Sequence, residues 1–363
     1  MEGVRGAAEV EMLRAVEPIT SFAEVFQKSY SALAGAFREC HSCGLELCRT
    51  TLLENAFLSG AEILLFMLCA IAWTVLRQAA TAFIFQPVCR WCDLNPKDAA
   101  KMPESSWKLF FYTVVWSYST YLLFFAQYPF FFEPASVFYD WKKGMEVPAD
   151  IAIAYLIQSS FYGHSIYATV YMDTWRKDSL VMLTHHVIAV MLLVSSYAFR
   201  YHNVGILVLF LHDFTDVALE FAKLNVYFRN RGGIYHRLNN ILASVGCITF
   251  GISWFWLRLY LFPLKVLYTT CCIGPQLVPS IPFYFFFNFL LTTVMLMNIY
   301  WFLYIVLLVV KVLLGQMREI NDVREYEEEN IKTMQKTHNN LHHHNSCKDG
   351  ALFKNGVVKR KHL

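Results

Sequence analysis

Two adjacent histidines, His185 and His186, open the run HHVIAVMLLVSSYAF, which is otherwise almost entirely hydrocarbon. Ionisable groups within a membrane segment are costly and tend to mark functional paths. The next apolar run carries His212, Asp213, Asp216 and Glu220. Spacings of three and four place Asp213, Asp216 and Glu220 on one helical face, which can look into a protein interior. A carboxylate bonded to one imidazole nitrogen fixes the tautomer and stabilises the imidazolium, leaving the other nitrogen as a base or nucleophile. Adjacent histidines point about 100° apart on a helix, so His185 and His186 need not share a role.

Such groups need elements that bring them to one depth. Of the 363 residues, 56% are hydrophobic, 17% aromatic and only 16% charged, against roughly 45–50% apolar residues in soluble domains. The chain reads as an all-α polytopic membrane protein. Runs near 61–83, 107–126, 149–172, 179–200, 203–224, 238–262 and 281–314 approach the roughly 20 apolar residues that cross a bilayer as helix, giving about seven transmembrane helices. The run 61–83 carries Glu62 and Arg77, so an interfacial position competes for it, and 281–314 is too long for one straight span. At 1.5 Å per residue, His185 lies about 9 Å in from the cytosolic side, Asp216 about 12 Å and Asp213 about 16 Å. If the fourth and fifth spans are neighbours, a carboxylate reaches an imidazole.

Of the 31 lysines and arginines, 10 fall on the N-terminal side of the membrane and 21 on the other. The positive-inside tendency then places the N-terminus in the lumen and the C-terminal tail in the cytosol. No cleavable signal peptide is visible. Lys359 and Lys361 in the final KRKHL resemble a dilysine signal for retrieval to the endoplasmic reticulum. The chain divides into a luminal segment 1–58, a first transmembrane helix with cytosolic connector 59–101, a membrane domain 102–315 and a largely disordered cytosolic tail 316–363. Three tail histidines, His342, His343 and His344, read as low-complexity sequence. Cys40-x-x-Cys43 and Cys89-x-x-Cys92 have ligand-like spacing, but they lie on opposite sides of the first span, which argues against a joint zinc site. A luminal disulfide among Cys40, Cys43, Cys48, Cys271 and Cys272 stays open. His164 and His202 read as hydrogen-bonding helix residues.

The stretch FYGHSIYATVYMDTWRKDSLVMLTHHVIAVMLLVSSYAFRYHNVGILVLFLHDFTDVALEFAKLNVYF, residues 161–228, resembles the Lag1 motif of ceramide synthases, within a TLC domain spanning about Met102 to Gly315. With no homeobox-like insert after the first span, the segments AAKMPESSWK, SFYGHSIYAT and SSYAFRYHNVGILVLFLHD resemble the vertebrate type-one, stearoyl-preferring branch. The resemblance implies that the last six helices form a bundle enclosing the active site. It implies N-acylation of a sphingoid long-chain base by a fatty acyl-CoA, giving dihydroceramide or ceramide and CoA. The family's paired histidines map onto His185 and His186, and its motif aspartates onto Asp213 and Asp216. Fatty acyl-CoA is a co-substrate; no cofactor, metal or nucleic acid is called for. Pairing with itself or with another ceramide synthase is left open.

The thioester is already activated, so the protein must position it, receive protons and stabilise an oxyanion. In one route His185 attacks the thioester, CoA leaves, and the amine takes the acyl group from the acyl-imidazole. Asp213 or Asp216 then orients the imidazole, while His186 handles protons or the oxyanion. In the other route His185 is a general base for direct amine attack, and the sequence does not choose. Arg176, Lys177, Arg229, Arg231 and Arg237 border the cytosolic ends and suit the polyanionic CoA, although topology alone also accounts for such charges. Within the family, acyl-chain choice is associated with the connection between the last two spans, here about 268–280, which reads as a turn-rich luminal loop. A non-catalytic lipid sensor, carrier or chaperone needs no such proton-handling set. A proton-coupled transporter calls for inverted repeats or broken helices in matching halves, and none is visible. A di-iron lipid hydroxylase needs several histidine boxes.

Overall fold

The computed structural model describes residues 21–126, 128–278 and 281–314. Among these the chain is helical, with short turns and no strand. Helix α1 spans Phe22–Asn55, α2 spans Gly60–Trp91, α3 spans Pro96–Phe124 and α4 spans Ala149–Tyr171. Helix α5 spans Ser179–Ala198, α6 spans His202–Phe228, α7 spans Arg237–Leu277 and α8 spans Tyr284–Leu313.

The two charges that cloud the first apolar run are both satisfied. Ser59 and Glu62 form a reciprocal capping box at the start of α2, and Glu62 also accepts from the Tyr197 hydroxyl at 2.8 Å. Arg77 is buried and pairs with Asp173. Four described helices, α2, α5, α7 and α8, are long and apolar enough to cross a membrane. The other three expected spans coincide with α3, α4 and α6, which have the length, at 29, 23 and 27 residues, but carry more polar groups. Those groups turn inward: Gln158, His164, His212, Asp213 and Glu220 are all buried. An apolar exterior with polar groups kept inside is the arrangement a lipid solvent demands.

Helix α6 sits at the centre, packed most extensively along α3 and α7, while α4 packs on α2 and α5, and α8 on α7 and α5. The expectation that consecutive spans lie side by side fails for α5 and α6, which meet little beyond their connection. At that connection Arg200 adopts a left-handed φ of 66° and its carbonyl accepts from the Trp141 indole at 3.1 Å. The helices then diverge around a cavity that both line.

The expected turn-rich loop at 268–280 is also corrected. Helix α7 runs on to Leu277 by way of π-helical stretches at Trp254–Leu267 and Thr269–Ile273. Pro263 has no N–H for the usual ladder, and the wider coil is seen where Tyr268 N–H bonds to the Pro263 carbonyl five residues back. Thr269, Thr270 and Cys271 are buried, so inward packing holds a helix where composition alone reads as a turn.

Candidate functional site

Two cavities meet inside the bundle. The first is apolar, walled by Leu192 and Leu193 of α5, Val204 and Val208 of α6, and Leu291 and Val294 of α8. The second is a polar vestibule, lined by Lys101 and Lys108 of α3, Asp178 before α5, Lys223 of α6 and Tyr304 of α8, together with Arg176. Among the described residues, three line both: His185, Asp216 and Arg258.

Helix α5 carries the paired histidines to different surroundings. The His185 ring stands edge to face with Trp301 at 5.3 Å, and its Nδ1 is buried without a partner. Trp301 is in turn held by its indole N–H, which donates to Asp178 Oδ2 at 2.9 Å. His186 lines the vestibule but not the apolar cavity, and its Nδ1 lies 3.1 Å from Thr169 Oγ1.

The carboxylates of α6 have other partners. Asp213 is fully buried and accepts from Gln158 Nε2 of α4 at 2.6 Å. Asp216 pairs with Arg258 Nη2 of α7 at 2.9 Å. The same Nη2 donates to the His212 carbonyl at 2.8 Å, and the guanidinium lies 4.1 Å from the centre of the Trp254 ring. His212 donates from Nδ1 to the Val208 carbonyl at 2.8 Å, which leaves Nε2 to accept from Asn298 Nδ2 at 3.1 Å. Thus α6, α7 and α8 are tied together around the junction. Among the described residues no hydrogen bond joins His185 or His186 to a carboxylate. The divergence of α5 from α6 lets Gln158 and Arg258 reach Asp213 and Asp216 instead.

Charge at the vestibule is balanced by a network. Lys108 bridges Glu104 and Asp173, each at 2.8 Å, and Arg176 pairs with Glu104 at 3.0 Å. Burial alone would raise the Glu104 pKa, but the charges of Lys108, Arg176 and Lys223 outweigh it and hold the carboxyl well below its ordinary range.

A family profile described as the TLC domain matches residues 101–307. Ceramide synthase 1 of Homo sapiens is 57% identical over 345 residues, covering 95% of this chain and 96% of its own length. Ceramide synthase 1 of Mus musculus is 56% identical over 355 residues, covering 98% and 99%, and Ceramide synthase LOH2 of Arabidopsis thaliana is 28% identical over 72% and 90%. The chain belongs to the ceramide synthase family.

In this ceramide synthase family member, the four motif residues expected from sequence fall into distinct positions. His185 and Asp216 reach the junction, His186 borders the vestibule alone, and Asp213 lines neither cavity. Of the five cations expected to serve CoA, Arg176 lines the vestibule, whereas Lys177, Arg229, Arg231 and Arg237 do not. Arg229 is buried beside Asn240, and Arg231 donates to Asn239. Lys101, Lys108 and Lys223 take the places along the wall. Their signal was available: Lys101 and Lys108 are two turns apart on one helix, and Lys223 continues the face of Asp216 and Glu220. Arg258 is equally visible as a lone cation in WFWLRLYLF. Trp301, Gln158 and Asn298 gave no comparable signal.

His164 does bond, to Thr74 Oγ1 at 2.8 Å, while both ring nitrogens of His202 are buried without a partner. Cys271 is a free thiol, its Sγ 3.1 Å from Asn288 Oδ1, and Cys89 packs against Met102, its Sγ 3.6 Å from Sδ. The side chains of Cys40, Cys43 and Cys48, and the tail with His342 to His344, Lys359 and Lys361, lie outside the described residues.

Proposed function

We propose that this chain transfers the acyl group of a fatty acyl-CoA to the amine of a sphingoid long-chain base, giving dihydroceramide or ceramide and free CoA. The observation that carries this reading is the meeting of a polar vestibule, lined by both cations and carboxylates, and an apolar cavity at His185. An acyl-CoA has the same division, a polyanionic head and a hydrocarbon chain, with the thioester between them. Placing the head among Lys101, Lys108, Arg176 and Lys223 and the chain among the leucines and valines puts the thioester beside His185. Identity to proteins named Ceramide synthase 1 supports the same assignment.

The proposed chemistry begins with attack of an imidazole nitrogen of His185 on the thioester carbon. The C–S bond breaks, CoA leaves as thiolate, and the amine then attacks the acyl-imidazole, the N–C bond to His185 breaking as the amine proton passes to the released imidazole. His186, on the vestibule side, serves proton transfer to the departing thiolate. Asp213 fixes α6 against α4 through Gln158, and Asp216 holds the junction through Arg258. Because the thioester is already activated, no cofactor is required. Stearoyl as the preferred acyl group, residence in the endoplasmic reticulum membrane and a cytosolic tail complete the proposal, on the segment resemblance and the charge asymmetry.

The test is incubation of purified protein with sphinganine and a panel of acyl-CoAs, with products read by mass spectrometry. Amide should form, most rapidly from stearoyl-CoA, and His185→Ala should abolish it in a protein that still inserts. Wild type given acyl-CoA without amine should gain one acyl mass on the peptide containing His185. Absence of amide with every acyl-CoA would favour a lipid sensor or carrier. Amide without an acyl-protein adduct would assign His185 to general-base catalysis.

A further inference from the structure

We propose that Arg258 is a catalytic residue that receives the negative charge developing on the acyl carbonyl oxygen. It stands beside His185 and Asp216 at the junction of the two cavities, where the preceding reading, on which this proposal rests, places the thioester. Its side chain is almost wholly withdrawn from solvent, at 4% exposure. Both of its hydrogen bonds leave from Nη2, one to Asp216 and one to the His212 carbonyl. Its Nε–H is buried without a partner. A buried donor left unpaired is costly, and an unpaired donor on a fixed cation beside a reacting carbonyl is the form that oxyanion stabilisation takes.

The support around Arg258 keeps it still. The Trp254 ring lies under the guanidinium, and the Asp216 carboxylate offsets a charge that would otherwise be prohibitive in a low-dielectric site. The π-helical stretch of α7 carries Arg258 itself. Asp216 thereby acts as a positioning residue for the cation, a role distinct from orienting an imidazole. In the step concerned, a lone pair of His185 forms the N–C bond and the carbonyl π pair moves onto oxygen, where Arg258 meets it. Collapse restores C=O and expels the CoA thiolate, which takes up the proton lost from the acylated imidazole. The second tetrahedral intermediate, formed by amine attack, presents its oxygen at the same place.

The experiment compares wild type, Arg258→Gln and Arg258→Lys on acyl-CoA and on the matching dithioester, whose carbonyl oxygen is replaced by sulfur. Sulfur accepts hydrogen bonds weakly, so the oxo-to-thio rate ratio reports the donor. Arg258→Gln should lower kcat on the oxygen substrate by about 10²–10³-fold, leave KM for acyl-CoA near its wild-type value, and collapse the ratio. Arg258→Lys, which keeps charge without the fork, should fall between. A loss shared equally by both substrates, with the ratio unchanged in either variant, overturns the proposal and leaves Arg258 a structural tie; so does wild-type kcat in Arg258→Gln. If Arg258→Gln does not fold, the ratio in Arg258→Lys decides. Failure of wild type itself to form amide would refute the underlying reading, a result distinguishable from any of these.

Discussion

The indole of Trp301 meets the imidazole of His185 edge to face, with ring centres 5.3 Å apart and planes at 89°. The contact joins α8 to α5, and the carboxylate of Asp178 secures the far side of the indole. Trp301→Phe keeps an aromatic wall but loses the bond to Asp178, whereas Trp301→Ala loses both. Small misplacements of a reacting group are expensive in rate, so kcat should fall about tenfold for Phe and about 10²-fold for Ala. Steady-state rates on detergent-purified variants check this; full turnover in Trp301→Ala would show that His185 is placed by other contacts.

The vestibule lysines provide a second expectation. Lys101→Ala and Lys223→Ala should raise KM for acyl-CoA several-fold, leave KM for the sphingoid base unchanged, and weaken the dependence of KM on salt. Arg237, which is exposed and outside the vestibule wall, should be replaceable by alanine with KM intact. Kinetics at two ionic strengths separate these outcomes, and an equal effect of Arg237→Ala would mean that the phosphates sit elsewhere.

Glu104 should give the protein a measurable acid limit. Its folded-state pKa is depressed, so its ion pairs contribute full stability above the ordinary glutamate pKa of about 4.3 and lose it as pH falls further. Thermal melting should show wild type ahead of Glu104→Gln near neutral pH, with the gap narrowing below about pH 4. A gap that stays constant with pH would assign the loss to packing and not to charge.

Gly205 marks a point where helices come very close. A Cβ there would stand 1.7 Å from the Tyr155 hydroxyl, which is itself bonded to Ser196 at 2.9 Å and to the His202 carbonyl at 3.1 Å. Gly205→Ala must displace that hydroxyl and should cost about 1–3 kcal/mol, as overpacking does. Gly205→Ala with Tyr155→Phe should recover part of it. Melting temperatures of the single and double variants check the coupling, and no recovery would place the strain elsewhere.

Membrane character and the chemical residues were legible because lipid makes buried ionisable groups conspicuous: His185, His186, Asp213 and Asp216 stand out in apolar runs, and three of the four border a cavity. Their partners were not legible. Depth along a helix places His185 level with Asp216, but depth does not report the lateral distance between helices, which the Phe199–Tyr201 connection and the packing of α4 and α7 decide. Gln158 and Arg258 therefore replaced the expected imidazoles as neighbours of the carboxylates. Helix α7 hid its own length for a different reason. Its Gly274-Pro275 pair reads as punctuation, yet the buried Thr269, Thr270 and Cys271 hold the helix on.

The wide coil of α7 makes chain length a control over direction. A π-helical stretch holds more residues per turn than the 3.6 of an α-helix, and removing one residue between Arg258 and Thr270 while the wide coil persists would draw every later residue back one place. Every later side chain would then swing by somewhat less than the ~100° of one α-helical residue. Thr270, now on the apolar wall, would turn away and a neighbour would take its place, while Arg258, upstream of the cut, would keep its seat. One codon could thus re-tile the far end of the cavity without altering the chemistry. Such a deletion should change which acyl lengths are accepted more than how fast the best one reacts, as a product profile across acyl-CoAs would reveal; an unchanged profile would mean that the wall does not rotate.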